Sequence, residues 1–250
     1  MICPKCGHEN RPSGEDCQRC GVIFAKIKPP LEPITSTKEE LSGQSMEIGR
    51  QSQPQDTLQE LFLPTTGETN SILICGRGLI LLGIIIWGGK LMLASIASNT
   101  AGESLLHLVN LPFHETGHLL FRPLGSFMSS LGGTLGQLLV PLICGGTLLL
   151  KTRDPFGTAI CGWWLGENFL DIAPYINDAR AGQLPLLGGN TGHSAPYGFH
   201  DWEYLLTETG LLRYDQLLAK LAHGFGSLLM ITAILWATVL LYRQFKGTNT

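Results

Sequence analysis

His114, Glu115 and His118 are the residues best placed to do chemistry, because they spell H-E-x-x-H in His114-Glu115-Thr116-Gly117-His118. On a helix, positions i and i+4 share a face, so both imidazoles can hold one zinc ion. Glu115 then sits beside that metal, where a water would be activated. The motif lies inside an apolar stretch, 105–121, which points to hydrolysis at or inside a membrane. A catalytic zinc takes a third protein ligand and leaves a fourth position to water. Three downstream residues could supply it. Asp171 and Glu167 lie in an apolar segment, and His200 precedes Asp201 in a connecting loop. Ionisable groups within a span are costly, so the Glu167/Asp171 pair calls for a function. At i and i+4 one could ligate the metal while the other holds a ligand histidine by a hydrogen bond. His200 and Asp201 are also candidates for binding substrate, or for capping a helix.

A second group of metal-ligating residues stands at the start of the chain. Cys3-Pro4-Lys5-Cys6-Gly7 and Cys17-Gln18-Arg19-Cys20-Gly21 are two matched C-x-x-C-G knuckles. Each turns tightly enough to bring two thiolates to one ion, and four thiolates close a structural zinc site. Residues 1–27 therefore read as a small, β-rich zinc ribbon. Its start lacks the charged and apolar regions of a signal peptide, so the ribbon is expected in the reducing cytosol. Cys75, Cys144 and Cys161 are isolated in apolar surroundings and read as small hydrophobes.

Residues 28–70, rich in Pro, Ser, Thr, Glu and Gln, read as a flexible linker. Residues 71–250 then carry five apolar segments, at 78–97, 105–121, 126–150, 156–176 and 221–242. The third has no charged residue, and its recurrent Gly132, Gly133, Gly136, Gly145 and Gly146 suit close helix packing in a membrane. Only 15% of the chain is charged, below the usual quarter for soluble domains. The expected fold is thus a ribbon followed by an all-α polytopic membrane bundle of about four to five helices. Pro112 suggests a helix broken or restarted in the second segment, with Asn110 as its cap. Residues 183–196 should be loop, and Asp201-Trp202-Glu203-Tyr204 should open a short amphipathic helix ending near Gly210. The positions of Arg77, Lys151, Arg153 and Arg243 leave the number of crossings open. His107 shares the motif's face two turns earlier and reads as a packing residue or a lip of the site. His193 and His223 have no paired context.

An apolar H-E-x-x-H with a downstream intramembrane aspartate resembles the site-2-protease family of membrane-embedded zinc metallopeptidases, over roughly residues 105–176. The resemblance implies His114, His118 and Asp171 as zinc ligands and Glu115 as general base. Where the family carries an N-x-x-P-x-x-x-L-D-G type motif, this chain keeps Leu170-Asp171, has Ile172 in place of the glycine and places Pro174 after the aspartate. The Glu167/Asp171 spacing is also similar to the E-x-x-x-D of soluble thermolysin-like zincins, in which the glutamate is the ligand.

The expected protein is a multi-pass membrane protein of a prokaryotic inner or plasma membrane. It would be a zinc-dependent endopeptidase acting on membrane-associated peptide or protein substrates, with one structural and one catalytic zinc. Its cytosolic ribbon would recruit a partner or substrate. The alternative is a non-catalytic membrane adaptor or scaffold with a structural zinc site. A net charge of −3 and the lack of a broad basic stripe argue against nucleic acid as a partner.

Overall fold

A computed structural model describes residues 3, 8–9, 16–20, 59–64 and 70–248. The chain forms two compact units, 1–50 and 51–250. In the first, the sulfurs of Cys3, Cys17 and Cys20 lie within 4.8 Å of one another. Cys6 and most of the expected ribbon and linker lie outside the described residues.

The second unit is helical, with α1 Ser71–Leu93, α2 Leu105–Phe121, α3 Ser126–Thr147, α4 Pro155–Asn177, α5 Asp201–Glu208 and α6 Asp215–Thr248. Each of the five apolar segments coincides with a helix. Three helical stretches, Ser71–Leu93, Ser126–Thr152 and Leu212–Gly247, are long and apolar enough to cross a membrane. The other two segments fall short. At 17 residues α2 is shorter than the roughly 20 that a crossing needs. The 23-residue α4 carries the ionisable Glu167 and Asp171.

Helix starts follow local chemistry. Asn70 accepts from the Ile72 N–H at 2.9 Å to cap α1, and Ser104 caps α2 by accepting from His107 N–H. The second segment is therefore one continuous helix. Pro112 lies in its interior, and Asn110 is buried in the bundle instead of serving as a cap. Pro155 opens α4 at a position where its missing N–H costs nothing. At the short amphipathic helix, the cap is His200, whose Nδ1 accepts from Glu203 N–H at 3.2 Å, with Asp201 as the first helical residue. Residues 183–199 form a loop with one isolated bridge, Pro185 to Thr191.

The most buried long helix is α4. Its Phe156, Ala159, Trp163 and Leu170 pack with Leu81 and Leu91 of α1 and Met230 of α6 in the main apolar core. Helices touch through glycine. A Cβ at Gly166 would lie 2.7 Å from the Gly226 carbonyl oxygen, and one at Gly226 would lie 2.5 Å from that of Gly166. The same holds between α2 and α3, where a Cβ at Gly132 would lie 2.6 Å from the Gly117 carbonyl oxygen. Backbones this close gain dispersion contact, the main source of helix affinity where no hydrophobic effect operates. Outward faces stay apolar, with Ile72, Leu79, Ile86, Ile143, Leu228 and Leu235 all more than half exposed.

Candidate metal centre

The α2–α3 glycine contact sets the depth at which the histidines meet their partners. His114 and His118 lie one turn apart on α2, with ring centroids 4.7 Å apart at an interplanar angle of 80°. Their outer nitrogens are fixed by acceptors. His114 Nδ1 lies 2.7 Å from Gln137 Oε1, and the Gln137 amide donates in turn to Asn168 Oδ1 at 3.1 Å. Asn168 donates to the Trp164 carbonyl at 3.0 Å, which sets the sense of the chain of amides. His118 Nδ1 lies 2.8 Å from the Ser129 carbonyl oxygen. A carbonyl only accepts, so both Nδ1 atoms carry hydrogen and both Nε2 atoms of the neutral rings present lone pairs.

Those two lone pairs converge on one carboxylate oxygen. Asp201 Oδ2 is 3.2 Å from His114 Nε2 and 3.3 Å from His118 Nε2. Three acceptor atoms facing one another repel unless a cation lies between them. A tetrahedral ion with bonds of about 2.0–2.2 Å separates its ligand atoms by about 3.3–3.6 Å, close to the spacing found. Space is provided by Gly133 of α3. A Cβ there would stand 2.5 Å from His114 Nε2 and 2.6 Å from His118 Nε2. The donor set, its spacing and the missing side chain all fit a small divalent ion such as zinc.

Tyr175, near the end of α4, accepts from the Asp201 N–H at 3.1 Å and donates to Asp201 Oδ2 at 3.4 Å. His200 stacks on the Tyr175 ring at 4.3 Å. It is fully buried, and burial pushes its pKa down against the opposing pull of Asp178, whose Oδ2 is 3.5 Å away. Asp178 also accepts from the Gln183 and Leu184 N–H groups at 2.9 Å. That pins the turn leading into the loop that returns to Asp201.

The expected carboxylates lie elsewhere. Asp171 Oδ1 is 2.9 Å from His107 Nδ1, and Asn110 Nδ2 donates to Asp171 Oδ2 at 3.1 Å and to Glu167 Oε2 at 3.0 Å. Trp164 Nε1 donates to Asn110 Oδ1 at 2.8 Å. Asp171 and Glu167 therefore face the turns of α2 that precede the motif, and neither belongs to the cluster of His114, His118 and Asp201. Asp201, which was expected to bind substrate, is the carboxylate that lies beside the two imidazoles, while His200 caps α5 with its ring behind Tyr175. His107 is half-buried and bonded to Asp171 at the edge of the cavity. Gln137, Asn168 and Tyr175 were not anticipated. Gln137 is the one amide side chain in the uncharged run of α3, and that was the signal available for it.

The cluster opens into a cavity of about 620 Å³ lined by His107, His114, Glu115, His118, Asp171 and Asp201, among others. Among the described residues, no lysine or arginine lines it. A metal between the imidazoles would thus share its cavity with a free carboxylate, Glu115, within the motif's own helix turn. Comparisons of this chain with protein-family models, with curated proteins and with solved structures found no match.

Proposed function

We propose that the protein is a membrane-embedded zinc-dependent endopeptidase, with His114, His118 and Asp201 as metal ligands and Glu115 as general base. The observation that carries this reading is the convergence of two imidazole lone pairs on one Asp201 oxygen at 3.2 and 3.3 Å, beside a cavity that Glu115 also lines. When bound, zinc would acidify a water and polarise the scissile carbonyl. Glu115 takes the water proton and hands it to the leaving amine. Gln137 and the Ser129 carbonyl hold the imidazoles in the tautomer that leaves Nε2 for the metal. Tyr175 holds the Asp201 backbone and carboxylate in register. The apolar outer faces of α1, α3 and α6 keep the site within a bilayer, where membrane-anchored peptides are the accessible substrates. The N-terminal cysteines form a second, structural zinc site on the cytosolic side that recruits a protein partner.

The test is cleavage of a membrane-anchored model peptide by the reconstituted chain and by Glu115→Gln. The proposal expects cleavage by the parent and none by the variant, with bound zinc unchanged between the two. Equal cleavage by both would remove Glu115 from its role.

A further inference from the structure

The cavity beside the metal cluster continues along α2. His107, Leu111, His114 and His118 are spaced by four, three and four residues, so they share one face of the helix, and all four line the cavity. Seven residues separate His107 from His114, a rise of about 10 Å along the axis. An extended peptide advances about 3.3–3.6 Å per residue, so a chain laid on this face brings its third residue from the metal to His107.

His107 is held from behind. Its Nδ1 lies 2.9 Å from Asp171 Oδ1, and an ionised carboxylate only accepts, so Nδ1 carries hydrogen. Asp171 is buried, and its other oxygen accepts from Asn110 Nδ2 at 3.1 Å. Asn110 is fixed in turn by the Trp164 indole, which donates to Asn110 Oδ1 at 2.8 Å. The ring's orientation is thus set jointly by α2 and α4, through residues that lie outside the metal cluster. A carboxylate this close favours the charged imidazole, so Nε2 carries a second hydrogen. Among the described residues Nε2 meets no acceptor, and the side chain is 36% exposed. An ionised group in an apolar helix is costly, and the metal cluster makes no use of Asp171.

We propose that His107 is a substrate-binding residue, donating from Nε2 to a main-chain carbonyl about three residues from the bond held at the metal, with Asp171 and Asn110 as its positioning residues. That role rests on the peptidase reading of the metal centre. The occupant is an extended peptide. Between its two polar ends the cavity wall is apolar, with Leu111 of α2 and Ile172 of α4, which suits an apolar side chain on the residues between.

The probes are the membrane-anchored model peptide and two thioamide copies of it. Each copy carries sulfur in place of the carbonyl oxygen of the third residue on one side of the scissile bond. Sulfur is the poorer acceptor. Binding is measured on the zinc-loaded Glu115→Gln chain in detergent, which should hold peptide without cutting it. One thioamide copy should bind about tenfold more weakly than the all-oxygen peptide, the value of one charge-assisted hydrogen bond. Adding His107→Ala should weaken the all-oxygen peptide by a similar factor and erase its advantage over that copy, with bound zinc unchanged. Adding Asp171→Asn should shrink the same advantage. Equal binding of the three peptides to Glu115→Gln, an advantage that survives His107→Ala, or loss of zinc from the His107→Ala chain overturns the inference. The comparison of peptides on Glu115→Gln decides even where a further variant fails to fold. A parent chain that cuts none of the peptides, with the thioamide penalty intact, would overturn the peptidase reading and leave His107 as a peptide-binding residue.

Discussion

Two imidazole lone pairs aimed at a single carboxylate oxygen make a site defined by repulsion, and the residues behind them keep it from relaxing. Gln137 holds His114 at 2.7 Å and is itself held by Asn168. Gln137→Leu should lower zinc affinity about 10–100-fold, as loss of a ligand-orienting bond generally does, measured by competition with a chelating dye. His200 gives a prediction of the opposite kind. Its pKa is depressed below the ordinary 6.5 by burial, so the unfolded chain binds the proton more readily than the folded one. The stability contributed by its neutral ring is complete above 6.5 and declines as pH falls through that value towards the lower folded pKa. His200→Asn keeps a capping side chain, and it should flatten the fall in melting temperature between about pH 7 and pH 5. A variant whose pH slope matches the parent's would contradict this. At this scale the sequence disclosed half of the candidate site. His114, Glu115 and His118 announce themselves by spacing. Asp201 stood out only as a candidate for substrate binding or helix capping, because an aspartate in a short polar segment needs no special explanation, whereas Asp171 stands out in an apolar one. Asp171 has a different engagement, with His107 and Asn110.

Helices were the most legible level, since long apolar runs that start after Ser104, Pro155 and Asp215 leave few alternatives. Pro112 misled, because a proline costs a helix one hydrogen bond and a clash but does not end it where neighbouring helices hold both halves. The glycines show the limit of reading a pattern without packing. Gly117, Gly132 and Gly133 each face a neighbour too close for a Cβ, while Gly146 meets nothing within 4 Å. Gly117→Ala should therefore force α2 and α3 apart and cost about 1–3 kcal/mol, the usual penalty of overpacking. Gly146→Ala should leave the melting temperature in detergent unchanged or slightly raised. Equal losses in the two variants would mean that the α2–α3 contact is not what sets the histidines' depth.

As a whole, the molecule brings a polar cluster from four helices and one loop into a bundle whose outside is apolar. The loop 183–199 carries the chain from the pinned end of α4 back to Asp201, so the candidate metal centre forms only when α2, α3, α4 and α5 are all in place. Metal binding and folding of the bundle are therefore linked, and zinc should raise the melting temperature of the parent but not of His114→Ala/His118→Ala. The central claim is that Asp201, and not Asp171, completes the metal site. Its most direct test counts zinc per chain after dialysis against a moderate chelator in the parent, Asp201→Ala and Asp171→Ala. Asp201→Ala should hold one zinc fewer than the parent, and Asp171→Ala the parental number. Loss of that zinc from Asp171→Ala with full retention in Asp201→Ala would contradict it.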